Sequence, residues 1–143
     1  MLDAAFEHLA RIAHDHALRH PDGGEGLCLP VAAALGYVLR ERHGVLATAV
    51  CGTYDAQAHW WLDTNEVRID PTRHQFDGEP HLTHPIGTHP GYVAEESYPA
   101  LWSREDVIAE AQRAFMLPSA AHAWVIPLLR ALEAVPSAEP ATA

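Results

Sequence analysis

Residues 58–70 of this chain read AHWWLDTNEVRID. Two short runs rich in aromatic and β-branched residues, Ala58 to Leu62 and Val67 to Asp70, flank the turn-forming stretch from Asp63 to Glu66. This arrangement predicts a β-hairpin. Successive side chains of a strand point to opposite faces, which separates an apolar set from a set that contains the polar residues of both runs. We therefore expect one face of the hairpin to join the core and the other to carry polar side chains.

The register of this hairpin follows if Leu62 lies opposite Val67. His59 then lies directly opposite Asp70, with Cβ atoms about 4.5–5.5 Å apart. A slip of one residue would exchange the two faces, so the pattern favours this register. The predicted core face holds Trp60, Leu62, Val67 and Ile69, and the predicted polar face holds His59, Trp61, Arg68 and Asp70.

A cysteine stands at the start of a second pattern. Residues 23–27 form a Gly-rich turn, and an apolar run from about Leu29 to His43 predicts a buried helix, so Cys28 is expected at a helix N-terminus. The exposed N–H groups and the helix dipole favour the thiolate there, which is the reactive form. An imidazole oriented by a carboxylate completes a thiol nucleophile system. The predicted catalytic residues are therefore Cys28, His59 and Asp70.

The remaining sequence predicts further helices around a small antiparallel sheet. Leu2 to Leu18 has the apolar spacing of an amphipathic helix, and Val45 to Tyr54 predicts a strand before the hairpin. Pro71 to Leu101 contains five prolines and is expected to be irregular, as a wall or lid of the site. Two C-terminal helices are predicted, the first from a capping box at Ser103 to about Leu117, where Pro118 ends it, and the second from Ala120 to Val135 with an interruption near Pro127.

The length and composition indicate one α+β domain. We expect it to span residues 1–135, with a disordered tail over residues 136–143. The net charge of −10 excludes nucleic-acid backbones as expected partners, since binding them requires a cationic surface. No apolar run approaches the roughly 20 residues that span a bilayer, and Met1 to Glu7 lacks a signal-peptide pattern. We therefore expect a cytoplasmic protein without membrane contact.

The other cysteine and the histidines were weighed as alternative sites. Cys51 lies in a β-rich run and is expected to be a structural core residue, with both thiols free in a reducing compartment. His122 repeats the His-aromatic pattern of the hairpin but has helical spacing and no downstream Asp, so it ranks second as a base. The spacings of His16 with His20, and of His81, His84 and His89, can hold a metal, but they lack a full ligand set. We expect no metal and no cofactor.

Three motifs resemble those of the transglutaminase-like superfamily, which has the papain-type cysteine enzyme fold. They are Gly26-Leu27-Cys28, Ala58-His59-Trp60-Trp61, and Ile69-Asp70-Pro71-Thr72 followed by Gln75-Phe76. The segment that carries them, Gly26 to Asp77, is a little over a third of the chain and is similar to small bacterial members. Arylamine N-acetyltransferases, which are much longer, and the leader peptidases of lasso-peptide biosynthesis also look like relatives.

The resemblance implies a fold and an activity. The fold would be α+β and papain/transglutaminase-like, with a central nucleophile helix packed on a small antiparallel sheet and flanked by N- and C-terminal helices. Cys28 would be the nucleophile, His59 the general base and acid, and Asp70 the residue that orients the imidazole. No Gln precedes Cys28 to complete an oxyanion hole, so backbone groups at Gly26, Leu27 and Cys28, joined by Trp61 or Gln75, would support substrate binding and the oxyanion.

Two functions remain open from the sequence. The first is a cysteine-dependent amide-processing enzyme, either a peptidase or amidase or an acyl transferase, acting through an acyl-enzyme on a peptide, a protein or a small amide or acyl substrate. The second is a catalytically inactive member of the same group that binds a peptide or a partner protein. The sequence does not decide between hydrolysis and acyl transfer, and it gives no oligomeric state.

Overall fold

The protein is an α+β fold in which helices pack against one antiparallel sheet. The computed structural model describes residues 2–19, 27–65, 67–72, 83–86, 91–115 and 117–136. Within these ranges the helices are α1 (Leu2–Leu18), α2 (Cys28–His43), α3 (Arg104–Ala114) and α4 (Pro118–Glu133). The strands are β1 (Thr48–Tyr54), β2 (Gln57–Asp63), β3 (Val67–Ile69), β4 (Thr83–Pro85) and β5 (Tyr92–Pro99).

Helix α2 is the centre of the fold. It contacts α1, α3 and α4 as well as strands β1 and β2, which explains why its sequence is apolar on nearly every side. Gly44 ends the helix in the left-handed conformation, with φ of 67°, and its N–H donates to the Leu39 carbonyl. The predicted central helix flanked by N- and C-terminal helices is confirmed at this level of detail.

The sheet has the order β4-β3-β2-β1-β5, and every neighbouring pair is antiparallel. Gly52 of β1 lies opposite His59 of β2 and beside β5, where a Cβ would come within 2.0 Å of the Val93 carbonyl oxygen. Only glycine permits so close an approach of two backbones. A bulge lies at this point in the pairing of β1 with β5.

The predicted hairpin forms, but its predicted register was wrong by two residues. Leu62 pairs with Ile69, not with Val67, and Asp63 pairs with Arg68. The turn closes more tightly than expected because the N–H and the hydroxyl of Thr64 both donate to the Val67 carbonyl. A shift of two residues preserves the side-chain faces. Leu62 and Ile69 accordingly lie in the core, with Trp60 and Val67 packed against it.

The Pro-rich stretch from Pro71 to Leu101 was wrongly predicted to be irregular throughout. It supplies β4 and β5, and β5 pairs with β1 along the whole length of both strands. From Val93 to Pro99 every residue of β5 is exposed, so the strand lacks the alternation that identifies a half-buried strand. Prolines are tolerated at the ends and edges of sheets, and Pro99 ends β5.

The two C-terminal helices differ from the prediction at their junction. The capping box of Ser103 and Asp106 is confirmed, with each side chain bonded to the other's backbone N–H. Helix α3 ends at Ala114, three residues before the predicted end, and Pro118 begins α4 as its first residue. Pro127 lies inside a helix that is continuous to Glu133, where an interruption was expected.

Several expectations lie outside the part of the chain that the structure describes. These are the predicted tail, of which only Pro136 is described, and the motif residues Gly26, Gln75 and Phe76. Among the helices that are described, none combines the length and the apolar composition needed to cross a bilayer.

Candidate active site

His59 and Asp70 form a buried hydrogen-bonded pair. The distance from His59 Nε2 to Asp70 Oδ2 is 2.7 Å, and both side chains are fully buried. Because the carboxylate accepts, Nε2 carries the donated proton. The shifted register places the two residues diagonally rather than directly opposite each other, yet their side chains still meet on one face of the sheet.

The Asp70 carboxylate accepts hydrogen bonds on both oxygens. The Tyr92 hydroxyl donates to Oδ2 at 2.6 Å, the same oxygen that accepts from His59. The backbone N–H and the hydroxyl of Thr72 donate to Oδ1 at 3.3 and 3.4 Å. Burying a carboxylate without such hydrogen-bond partners is costly. Pro71 lies between Asp70 and Thr72 in the chain, and its carbonyl oxygen is 3.0 Å from His14 Nδ1 of α1. This contact connects the segment after β3 to the first helix.

Cys28 is the first residue of α2 and is partly exposed. Its thiol lies close enough to the His59 ring to raise the pKa of the imidazole. Since Asp70 engages Nε2, the other ring nitrogen, Nδ1, is the one available to the thiol. The structure therefore brings the three predicted catalytic residues near one another, with the imidazole bonded to the carboxylate.

The environment of His59 favours the imidazolium. Burial alone lowers the pKa of His59, but the hydrogen bonds and charges of Asp70 and Cys28 outweigh burial and raise the pKa to about 9. The ring is thus positively charged at neutral pH.

An aromatic shell surrounds the imidazole–carboxylate pair. The ring centroids of Tyr54 and Trp61 lie 6.4 and 5.9 Å from that of His59, and each lies 4.8 Å from that of Tyr92. The Arg68 guanidinium lies over the rings of Trp61 and Tyr92, 5.2 and 4.6 Å from their centroids. Arg68 also forms a two-bond ion pair with Asp63 at 2.8 and 3.0 Å. This shell holds Tyr92 against Asp70 and keeps water from the pair.

The residues predicted to support substrate or oxyanion binding are only partly described. Leu27 is buried and precedes α2 without providing a side-chain cap, while Gly26 and Gln75 lie outside the described ranges. Trp61 is buried, and its Nε1 has no hydrogen-bond partner among the described residues. A buried donor without an acceptor costs about 1–3 kcal/mol.

Cys51 has a different environment from Cys28. It is partly exposed on β1, so the prediction of a buried core cysteine was too strong. Burial raises the pKa of the Cys51 thiol, and the charges of Glu96, Glu95 and Cys28 add to the effect. These neighbours favour the protonated, unreactive thiol.

The rival sites do not assemble in the described part of the chain. His122 is exposed on α4, as expected of a helix surface residue. No group of three or more His, Cys, Asp or Glu side chains is placed to hold a metal ion within the described ranges. His20, His81 and His89 are not described.

Sequence reasoning missed Tyr92 and Tyr54. Tyr92 lies in the stretch that was expected to be irregular, and Tyr54 was taken only as the end of a strand. The pairing of Tyr54 with Tyr92 across β1 and β5 depends on contacts between distant segments, which no local pattern reveals. Comparisons with protein-family models, with curated proteins and with solved structures find no match to this chain.

Proposed function

We propose that this protein is a cysteine-dependent amide-processing enzyme that acts through Cys28, His59 and Asp70. The observation that supports this most strongly is the buried His59–Asp70 pair, whose imidazole interacts with a partly exposed thiol at the start of a helix. A purely structural histidine does not need a carboxylate on one side and a reachable thiol on the other.

In the first half-reaction, the Cys28 thiolate attacks the carbonyl carbon of an amide and a C–S bond forms. The His59 imidazolium donates its proton to the departing nitrogen as the C–N bond breaks, leaving a thioester on Cys28. Asp70 keeps the ring oriented and stabilises its positive charge. The Trp61 Nε1–H and the backbone N–H groups at the start of α2 are the candidate donors to the oxyanion.

In the second half-reaction, neutral His59 accepts a proton from the attacking water. A new C–O bond forms, the C–S bond breaks, and the carboxylic acid product leaves a thiolate beside an imidazolium. An amine that attacks in place of water gives acyl transfer by the same steps. We propose that the substrate is a peptide, a protein or a small amide, and that the reaction needs no metal or cofactor.

Trapping the acyl-enzyme tests this proposal directly. The chain contains no lysine, so activated esters have few competing nucleophiles on the protein. A panel of acyl p-nitrophenyl esters and acyl p-nitroanilides, followed by intact and peptide mass measurement, should show one acyl group on Cys28 that water then removes. Turnover should vanish in Cys28→Ala and persist in Cys51→Ala.

The outcome also separates an enzyme from a binding module. Acylation of Cys51 in preference to Cys28, or equal acylation of Cys28 in the wild type and in His59→Gln, would contradict the proposal. The second function, a catalytically inactive module that binds a peptide or a partner protein, would then be favoured.

A further inference from the structure

A second concave surface lies on the sheet beside α3. It is a cavity of about 320 Å³ whose lining includes Trp60, Tyr98 and Trp102. The rings of Trp60 and Tyr98 are close to parallel, with centroids 6.4 Å apart, and Trp102 stands edge-on to Trp60 at 6.3 Å. Tyr98 is 46% exposed, so this aromatic cluster is open to solvent. Aromatic faces attract cations, and several rings around one space are typical of ammonium-binding sites.

Two carboxylates complete the lining. Asp106 and Glu110 stand four residues apart on α3, which puts them on the same side of the helix, and both line the cavity. The capping box fixes Asp106, because its Oδ2 accepts from the Ser103 N–H. Glu110 is paired with Arg113, which is on the same helix and mostly exposed. Asp106 therefore supplies negative charge at a fixed position beside the rings, whereas the charge of Glu110 is shared with Arg113.

Arg40 holds the backbone on one side of the cavity. The Arg40 guanidinium donates to the carbonyls of Ala100 and Trp102 at 3.0 and 2.8 Å. These bonds hold the segment that carries Trp102, so the indole ring is positioned before any ligand arrives. A preorganised site loses less entropy on binding.

We propose that this cavity, the aromatic–acidic pocket, binds an alkylammonium group, the side chain of a lysine in a peptide. Trp60 pairs with Cys51 on β1. Trp60 and His59 are neighbours on β2, so the pocket lies on the face of the sheet opposite the His59 side chain. Binding to the pocket is measurable without catalysis.

Titration followed by NMR tests the pocket in Cys28→Ala protein, which cannot turn over substrate. The probes are Nα-acetyl-lysine N-methylamide and its uncharged counterpart Nα-acetyl-norleucine N-methylamide. The lysine probe should shift the indole N–H signals of Trp60 and Trp102 and bind at least fivefold more tightly than the norleucine probe. Equal affinities, or shifts confined to other indole signals, would overturn the proposal.

Matched variants locate the binding. Glu110→Gln and Tyr98→Leu should each weaken binding of the lysine probe about 2–5-fold, since each removes one attraction at an open site. Glu105→Gln is the control, because Glu105 is exposed on the same helix and the variant changes the charge equally. Equal losses in Glu105→Gln and Glu110→Gln would overturn a defined pocket in favour of general charge attraction. Lysine binding without any acylation of Cys28 would uphold the pocket and contradict the proposed function.

Discussion

The two cysteines of this chain have similar exposure but opposite surroundings. Both are free and partly exposed. Cys28 stands at the start of a helix and interacts with an imidazole that a buried carboxylate keeps charged. Cys51 stands in the middle of a strand, where Glu95 and Glu96 raise the pKa of its thiol in addition to the effect of burial. The comparison teaches that two thiols of similar exposure can have neighbours of opposite charge.

Replacing His59 should reduce the difference in reactivity between Cys28 and Cys51 more than any other substitution. In His59→Gln the cation beside Cys28 is gone, so alkylation of Cys28 by iodoacetamide at pH 7 should fall about 100-fold and amide turnover should be lost. Peptide mass mapping measures both cysteines in one sample. The Cys51 rate should stay within about twofold, because His59 is not among the groups that shift the pKa of Cys51. A large rise at Cys51 would report unfolding rather than a local effect.

Replacing Asp70 should have a smaller effect on the rate but a large one on stability. Asp70→Asn removes the charge that holds the imidazolium, so we expect alkylation of Cys28 at pH 7 to fall about 10-fold. The free energy of unfolding should fall by about 3–5 kcal/mol because one partner of a buried pair is lost. Denaturant unfolding measures the second quantity. A stable Asp70→Asn protein with wild-type alkylation would show that the carboxylate does not act on the imidazole.

The stability of the fold should depend on pH through His59. The pKa of about 9 in the folded protein exceeds the ordinary value of 6.5, so between these values the folded state holds more protons than the unfolded state. The stabilisation is complete below pH 6.5 and is lost as the pH rises through 9, with a total on the order of 3 kcal/mol. We expect the difference in unfolding free energy between wild type and His59→Gln to shrink over this range. A difference that grows with pH would contradict a charged His59.

Replacing Tyr92 should have the smallest effect on the reactivity of Cys28. Tyr92→Phe removes one donor to the Asp70 carboxylate and should lower the unfolding free energy by about 1–3 kcal/mol. Alkylation of Cys28 should slow by a few-fold, with the aromatic packing retained. Tyr98→Phe is the matched control, because the Tyr98 hydroxyl bonds Glu96 on the exposed edge strand. Equal losses of stability in the two variants would argue against a role for Tyr92 at the site.

The parts of the site that the sequence predicted are those encoded by local patterns. Cys28 at the start of an apolar helix follows from the Gly-rich turn before it and from the composition after it. The shared face of His59 and Asp70 follows from the period of two along a strand. A register error of two residues leaves every side chain on the same face of the sheet. His59 and Asp70 were therefore correctly predicted to share a face, although the predicted register between β2 and β3 was wrong.

The parts that the sequence did not predict depend on contacts between distant segments. Tyr92 reaches Asp70 because β5 pairs with β1, almost 40 residues earlier in the chain. Strand β5 is exposed on both faces and has prolines at or near its ends, so its sequence carries no strand signal. The tight turn depends on two hydrogen bonds from Thr64 to the Val67 carbonyl. The sequence from Asp63 to Glu66 is equally compatible with the longer, four-residue loop that was predicted.

The most direct test of the account is the pH dependence of iodoacetamide alkylation at each cysteine of the wild-type protein. A charged His59 beside Cys28 predicts that Cys28 reacts at pH 6 at least 10 times faster than Cys51, and that the Cys51 rate rises only towards alkaline pH. Parallel pH profiles with similar rates at the two cysteines would contradict the claim that His59 and Asp70 activate Cys28.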